Sequence, residues 1–260
     1  MSLNHWNEST RDELARILPD AVVVLPTGAT EQHGPHLATG HDTFTVDHIA
    51  NQAAGRAGVE HTIVLAPCLP FGSSDHHLPF GGTLSMSTGT YLHVVRDLVT
   101  SMITDGARRI FLLNGHGGNQ ELNQLVARDA VQAQATGSRV AIAAASYWEI
   151  AQQSLSSDPA LEGFRKPGHA GQFETSTMLA MKASRVREPR PDRDDDPSLT
   201  TTIPGTRVEL SHNWEAFDGF TDAPHKATAE LGEIILDHVI RDVAAAFEAL
   251  ARIPLDDTRS

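Results

Sequence analysis

Short aliphatic runs alternate with longer amphipathic segments along the first half of the chain. AVVVLP (Ala21–Pro26), TIVLAP (Thr62–Pro67), RRIFLLN (Arg108–Asn114) and RVAIAAA (Arg139–Ala145) are nearly continuous in apolar character. That is the pattern of strands buried on both faces. Between them, Thr43–Arg56, Thr88–Asp105 and Asn119–Thr136 place apolar residues at helical spacing. In the second of these, Leu92, Val95, Val99, Met102 and Ile103 make one face. The alternation predicts an α/β fold with a largely parallel sheet covered by helices on both sides. Beyond Tyr147 the pattern loosens. Leu155–Pro167 reads as loop, Gln172–Lys182 as helix, and the Pro- and charge-rich Arg187–Ser198 as a surface excursion. A helix from His225 to Arg252 closes the chain, with Leu231, Ile234, Ile235, Val239 and Val243 on its buried face. No repeat and no clean linker divides residues 1–260, which are therefore expected to form a single domain.

Composition narrows the function. The chain has 260 residues, 40% of them hydrophobic and 20% charged, enough for one large core. Lys plus Arg number 20 against 33 Asp plus Glu, a formal net charge of -13. Such a chain repels nucleic acid and anionic membrane, so small molecules are the expected partners. A lone cysteine, Cys68, excludes an internal disulfide, and the polar Met1–Thr10 stretch has no signal-peptide core. No apolar run is long enough to span a membrane. A cytoplasmic location is expected.

Candidate chemistry is concentrated in loops. GATEQHGPHLATGHD (Gly28–Asp42) follows the first predicted strand and holds Glu31, His33, His36, His41 and Asp42. NGHGGN (Asn114–Asn119) follows the third and holds His116. Ligands of open parallel sheets bind beyond the carboxyl ends of the strands, so both loops belong on one edge. Glu31 and His33, two apart, project to the same side of an extended segment. Asp42, just ahead of a helix, suits either an N-cap or a ligand. Together, an imidazole and two carboxylates fit a divalent ion. His36 and His41 flank the set and are read as supporting or surface residues. NGHGGN lacks both GxGxxG spacing and a P-loop lysine, which argues against a nucleotide site. Glycines beside His116, Gly117 among them, instead permit close backbone approach. GHAGQFETS (Gly168–Ser176) adds His169 and Glu174, the latter a ligand or a first-turn glutamate favouring a helix dipole. In SSDHHLPFGGT (Ser73–Thr83), His76 and His77 suit packing or substrate contact.

As an ordered set, TGATEQHGPHL with GHD, SSDHHLPFGGT, LLNGHGGN and HAGQFETS resemble the creatininase (creatinine amidohydrolase) family. The resemblance implies a three-layer αβα sandwich with a largely parallel central sheet, and a centre of one or two divalent ions per subunit. Zinc or manganese would fill it, with iron admissible. It also implies hydrolysis of a carbon–nitrogen bond in a small, often cyclic amide, and a ring-shaped homo-oligomer, commonly a hexamer. Carried over by position, Glu31 and His116 ligate one metal, His33 the other, and Asp42 bridges both. His169 matches a histidine that assists proton transfer to the leaving nitrogen.

The chain departs from the pattern at two places. Where the family's creatinine-hydrolysing member has a ligating glutamate two residues after the histidine matching His116, this chain has Gly118; either Glu174 replaces that ligand or the second site is weak or empty, and Glu174 is the expected replacement. The member's tryptophan four residues before the histidine matching His169 is Arg165 here, a residue better suited to an anionic substrate. His77, Gly117 and Arg165 are therefore expected on the substrate side. A smaller change puts Gly81 in place of a family proline. The expected function is metal-dependent amide hydrolysis, with the family's formamidopyrimidine deformylases and precursor-peptide peptidases as related possibilities. The competing reading is a non-catalytic small-molecule or metal-binding module on the same fold.

Overall fold

The computed structural model describes residues 2–134, 139–161, 167–193, 208 and 210–255. Five parallel strands, β1 (Ser2–His5), β2 (Val22–Thr27), β3 (Thr62–Leu65), β4 (Arg109–Asn114) and β5 (Ala141–Ser146), form one sheet in the order β1-β3-β2-β4-β5. The period of two along each strand sends side chains to opposite faces. Val22, Val24, Ile63, Leu65, Phe111 and Leu113 face one helical layer, α2 (His41–Ala57) and α8 (Ala229–Ala251). Val23, Leu25, Val64, Ile110 and Leu112 face the other, built from α1 (Arg11–Ile17), α3 (Thr88–Thr104) and α4 (Gln120–Gln132). Burial on both sides explains why these strands read as unbroken apolar runs. The result is a three-layer αβα sandwich with a parallel central sheet.

The connections place a site. The chain leaves β2 through α2 on one face and leaves β4 through α4 on the other. β2 and β4 are hydrogen-bonded neighbours, Val22 pairing with Arg109 and Thr27 with Asn114. Their following loops therefore diverge and leave a crevice beyond their carboxyl ends, a topological switch point.

Several expectations need correction. β1 and α1 lie where polar sequence gave no periodic signal; β1 is a half-exposed edge strand, and α1 is started by a Thr10–Glu13 capping box. Part of Leu155–Pro167 is helical: α5 (Tyr147–Ile150) is followed by α6 (Gln152–Ser157) and a short 3-10 turn at Pro159–Leu161, while 162–166 lie outside the described residues. α7 (Gln172–Lys182) matches its expectation. The closing helix begins at Ala229, not His225, because Thr228 caps it by accepting from Leu231 N at 3.2 Å. The described part of Arg187–Ser198 is tied down, with Arg190 donating to Ala227 O at 2.7 Å and Arg193 to Phe217 O at 2.7 Å. α8 seats α7 closely through Gly232, where a Cβ would lie 2.0 Å from the Ser176 carbonyl oxygen. No helix among the described residues is long and apolar enough to cross a membrane.

Candidate metal centre

The loop after β2 is held by interlocking bonds. Glu31 N donates to Thr39 O at 2.9 Å, and Thr43 Oγ1 to Ala29 O at 2.9 Å. Asn119 ties this loop to the Ser73 loop, donating to Gly28 O at 3.0 Å and accepting from Ser73 N at 3.0 Å. At the end of β4, Asn114 donates to His116 O at 2.7 Å and accepts from His116 N at 3.1 Å, which fixes the His116 backbone. None of these asparagine roles was drawn from the sequence, although both residues stand inside NGHGGN.

The five residues selected from the sequence as ligands converge, and His41 joins them. Glu31, Asp42 and His116 form one buried group, and His33, His41, Asp42 and Glu174 another, each with one donor atom per residue within 4.8 Å of the rest. Asp42 belongs to both groups. It is not the N-cap: α2 starts at His41 with Gly40 as cap, which puts Asp42 in the first turn. Glu174 likewise sits in the first turn of α7. Two helix N-termini thus aim their positive ends at the cluster, which favours carboxylates there.

The ring tautomers show what the cluster lacks. His116 Nε2–H donates to Ser73 O at 3.0 Å, leaving Nδ1 3.1 Å from Asp42 Oδ2 and 3.3 Å from Glu31 Oε1. His33 Nδ1–H donates to Glu31 O at 3.2 Å, leaving Nε2 3.0 Å from Asp42 Oδ1 and 3.7 Å from Glu174 Oε2. A lone pair facing two carboxylate oxygens is repulsive unless a cation lies between them. The contacts of Asp42 with both rings are not well-formed hydrogen bonds, since His33 Nε2 and Asp42 Oδ2 are buried without a hydrogen-bond partner, as is Glu31 Oε2. The carboxylates also favour a proton on each imidazole. Burial opposes this, but Asp42, Glu174 and Glu31 push His33 up to about 10. Glu31 and Asp42 raise His116 well above its ordinary value in the same way. Burial resists ionisation of Asp42 and Glu31 too, yet the imidazoles hold both below the usual carboxylate range. Glu174 is pushed up to about 8 by burial, with Asp42 and Glu31 adding to the shift and His33 opposing it.

His36 and His41, expected at the margin or surface, are both fully buried. His36 Nε2 contacts Thr175 Oγ1 at 2.8 Å, whereas neither nitrogen of His41 has a partner. On the open side, a cavity of about 760 Å³ is lined by Glu31, Asp42, His77, His116, Gly117 and His169, among others. His169 Nε2–H donates to Gln32 O at 2.8 Å, so Nδ1 faces Glu31 Oε1 at 3.6 Å. Burial and the neighbouring His33 lower His169 to about 3, keeping it neutral. His77 stacks on it with ring centroids 4.1 Å apart and places Nε2 3.7 Å from Glu31 Oε1. Trp214, which no motif marked, stands edge-on to His77 at 4.7 Å and to His169 at 5.3 Å. Arg165 lies outside the described residues. Gly118 lines the cavity, and a Cβ there would lie 2.1 Å from Ser73 O and 2.6 Å from His116 Nε2.

Several known proteins resemble this chain. Creatinine amidohydrolase of Pseudomonas putida is 30% identical over 246 residues, covering 87% of this chain and 88% of that protein. A mycofactocin precursor peptide peptidase of Mycobacterium tuberculosis is 35% identical over 103 residues, 37% of this chain and 41% of the peptidase. A Zn-Zn form of a creatininase mutant superposes with a TM-score of 0.77 at 27% identity, over 96% of this chain and 98% of that one. A manganese form of creatininase does so with a TM-score of 0.77 at 27% identity, over 97% and 100%. The family model described as creatinine amidohydrolase matches residues 7–247, and the chain belongs to the creatininase family of hydrolases.

Proposed function

We propose that this protein is a metal-dependent amidohydrolase that cleaves a carbon–nitrogen bond of a small amide at the β2–β4 crevice. One observation carries the reading: two buried histidines, each fixed by a bond from one ring nitrogen to a backbone carbonyl, turn the other nitrogen toward buried carboxylates, which assembles the mixed donor set of a divalent ion. The mixed imidazole and carboxylate set fits a zinc- or manganese-class ion, and creatininase is known in zinc and manganese forms. In the proposed assignment Glu31, His116 and Asp42 hold one ion, while His33, Asp42 and Glu174 hold the other. A divalent ion so bound supplies Lewis acidity, which polarises an amide carbonyl and acidifies water toward neutral pH.

The chain's own groups do the rest. His169 Nδ1, unprotonated and facing the cavity, receives a proton and passes it to the departing nitrogen, and the Gln32 carbonyl holds its ring in that tautomer. His77 is kept in place by Gln32, whose Nε2 donates to His77 Nδ1 at 2.9 Å, so that its other nitrogen addresses the substrate side. Gly117 lets substrate approach the backbone. The cavity lining carries Asp75 and Glu121 but no lysine or arginine among the described residues. Arg165, four residues before His169 in the sequence, is the proposed recognition group for a substrate carboxylate or phosphate. A homo-hexameric assembly belongs to the same proposal; the exposed Phe71, Leu78 and Leu84 offer apolar surface for it, and sedimentation would test it.

Metal analysis of purified protein, coupled to a hydrolysis screen over creatinine, hydantoins, formamides and short peptides, tests the function. The expected result is a bound divalent ion, with turnover lost on chelation and restored on adding metal back. Turnover unaffected by chelation overturns the metal-dependent reading. Metal bound with no hydrolysis of any amide favours the non-catalytic module.

A further inference from the structure

We propose that His41 is itself a metal ligand, completing with His33, Asp42 and Glu174 a four-donor set for the second ion. The inference rests on the metal-dependent reading above and adds a residue to it. His41 opens α2 beside Asp42, is fully buried, and has no hydrogen-bond partner at either ring nitrogen. A histidine buried only for packing is expected to satisfy at least one nitrogen. His36, buried in the same loop, does so through Thr175.

His41 is also aimed correctly. Its Nε2 lies 3.8 Å from Glu174 Oε1, and its ring centroid lies 4.8 Å from that of His33. Tetrahedral zinc with bonds of about 2.0–2.2 Å separates its donors by roughly 3.3–3.6 Å. Three of the six donor spacings, 3.0 Å for His33–Asp42, 3.7 Å for His33–Glu174 and 3.8 Å for His41–Glu174, bracket that value, and all lie within 4.8 Å. Gly118 cannot contribute, because the Ser73 carbonyl occupies the space a side chain would need.

The two positions then differ in access. Glu31, Asp42, His116 and Glu174 line the cavity, whereas His33 and His41 do not. The first position has three donors that all face the cavity, the pattern that leaves a place for water or substrate. The second takes Asp42 and Glu174 from the cavity wall and His33 and His41 from the interior, and His41 would close its inner side.

Zn2+ alone is the probe. Chelator competition on wild type, His41→Ala and His41→Phe counts the ions and their affinities; the phenylalanine keeps a ring in the pocket while removing both nitrogens. Wild type is expected to bind two Zn2+ per chain. Both variants are expected to keep one and to bind the second at least ~10–100-fold more weakly, the range seen even for outer partners of metal ligands. X-ray absorption of the wild-type zinc protein should count three imidazoles per pair of ions, a readout that does not depend on either variant folding. Two imidazoles per pair, a single zinc in wild type, or unchanged second-site affinity in the variants overturns the role of His41 while leaving the metal-dependent reading intact. No zinc bound by wild type overturns both.

Discussion

Gly118 stands where the family's creatinine-hydrolysing member carries a ligating glutamate, and Gly118→Glu is the obvious attempt to restore that ligand. The structure argues that it damages the centre instead. A Cβ at Gly118 would lie 2.1 Å from the Ser73 carbonyl oxygen, and something must shift by about 1 Å to reach ordinary contact. The Ser73 carbonyl is backbone and accepts the Nε2 proton of His116 at 3.0 Å, so moving it releases that ring. Overpacking of this kind costs about 1–3 kcal/mol, and loss of the bond adds about 1 kcal/mol. Even Gly118→Ala should therefore lose roughly 2–4 kcal/mol, a fall of about 4–16 °C in Tm for a chain of this size. Because the broken bond orients a histidine proposed as a ligand, metal affinity should also drop by about 10–100-fold. Thermal melts of chelated and zinc-loaded protein, with zinc competition titrations on the alanine and glutamate variants, read both quantities. An alanine variant with wild-type melting and zinc affinity would show that the Ser73 loop yields freely. A glutamate variant that binds zinc more tightly than wild type would refute the steric argument.

Three further outcomes follow from the site. Asp42→Asn should lose metal and turnover together, since an amide cannot supply the negative charge shared by both groups; α2 should persist because Gly40, not Asp42, is its cap, and atomic absorption with circular dichroism checks both points. His169→Ala should keep its metal while kcat falls by ~10²–10⁴-fold, and metal loss in that variant would make His169 a ligand instead of a proton carrier. Acidification should destabilise the metal-free protein. Burial, with the charge on His33 adding to it, lowers His36 to about 4 and His41 and His169 to about 3, against an ordinary value of 6.5. The unfolded chain thus binds protons that the folded chain refuses, and stability is lost as pH falls from 6.5 toward 4. His33 acts in the opposite sense: raised to about 10, it contributes stability fully present below 6.5 and lost as pH climbs through 10. Urea midpoints of chelated protein across this range should show the fall on both sides, and a flat profile would contradict it.

The sequence alone determined the layer architecture, because strands buried on both faces must be apolar at every position and their helices must be amphipathic. Val22–Leu25 and Ile110–Leu113 are legible for that reason. β1 was not, since an edge strand that stays half-exposed has no need of an apolar run. The sequence also supplied the candidate donors, because a loop with Glu31, His33 and Asp42 among glycines packs poorly as helix or strand. Only the tertiary structure decided how those donors divide. Adjacency in the chain says nothing about direction, and His41 looked like a bystander until the N-terminus of α2 turned its ring inward beside Glu174 of α7, a residue brought there by the close seating of α8 on α7 at Gly232. Trp214 reaches His77 and His169 by the same kind of long-range packing. Local physics, set by burial and backbone preference, is written residue by residue. The convergence of loops far apart in sequence depends on how the sheet and its two helical layers pack, and that is settled only when the chain has folded.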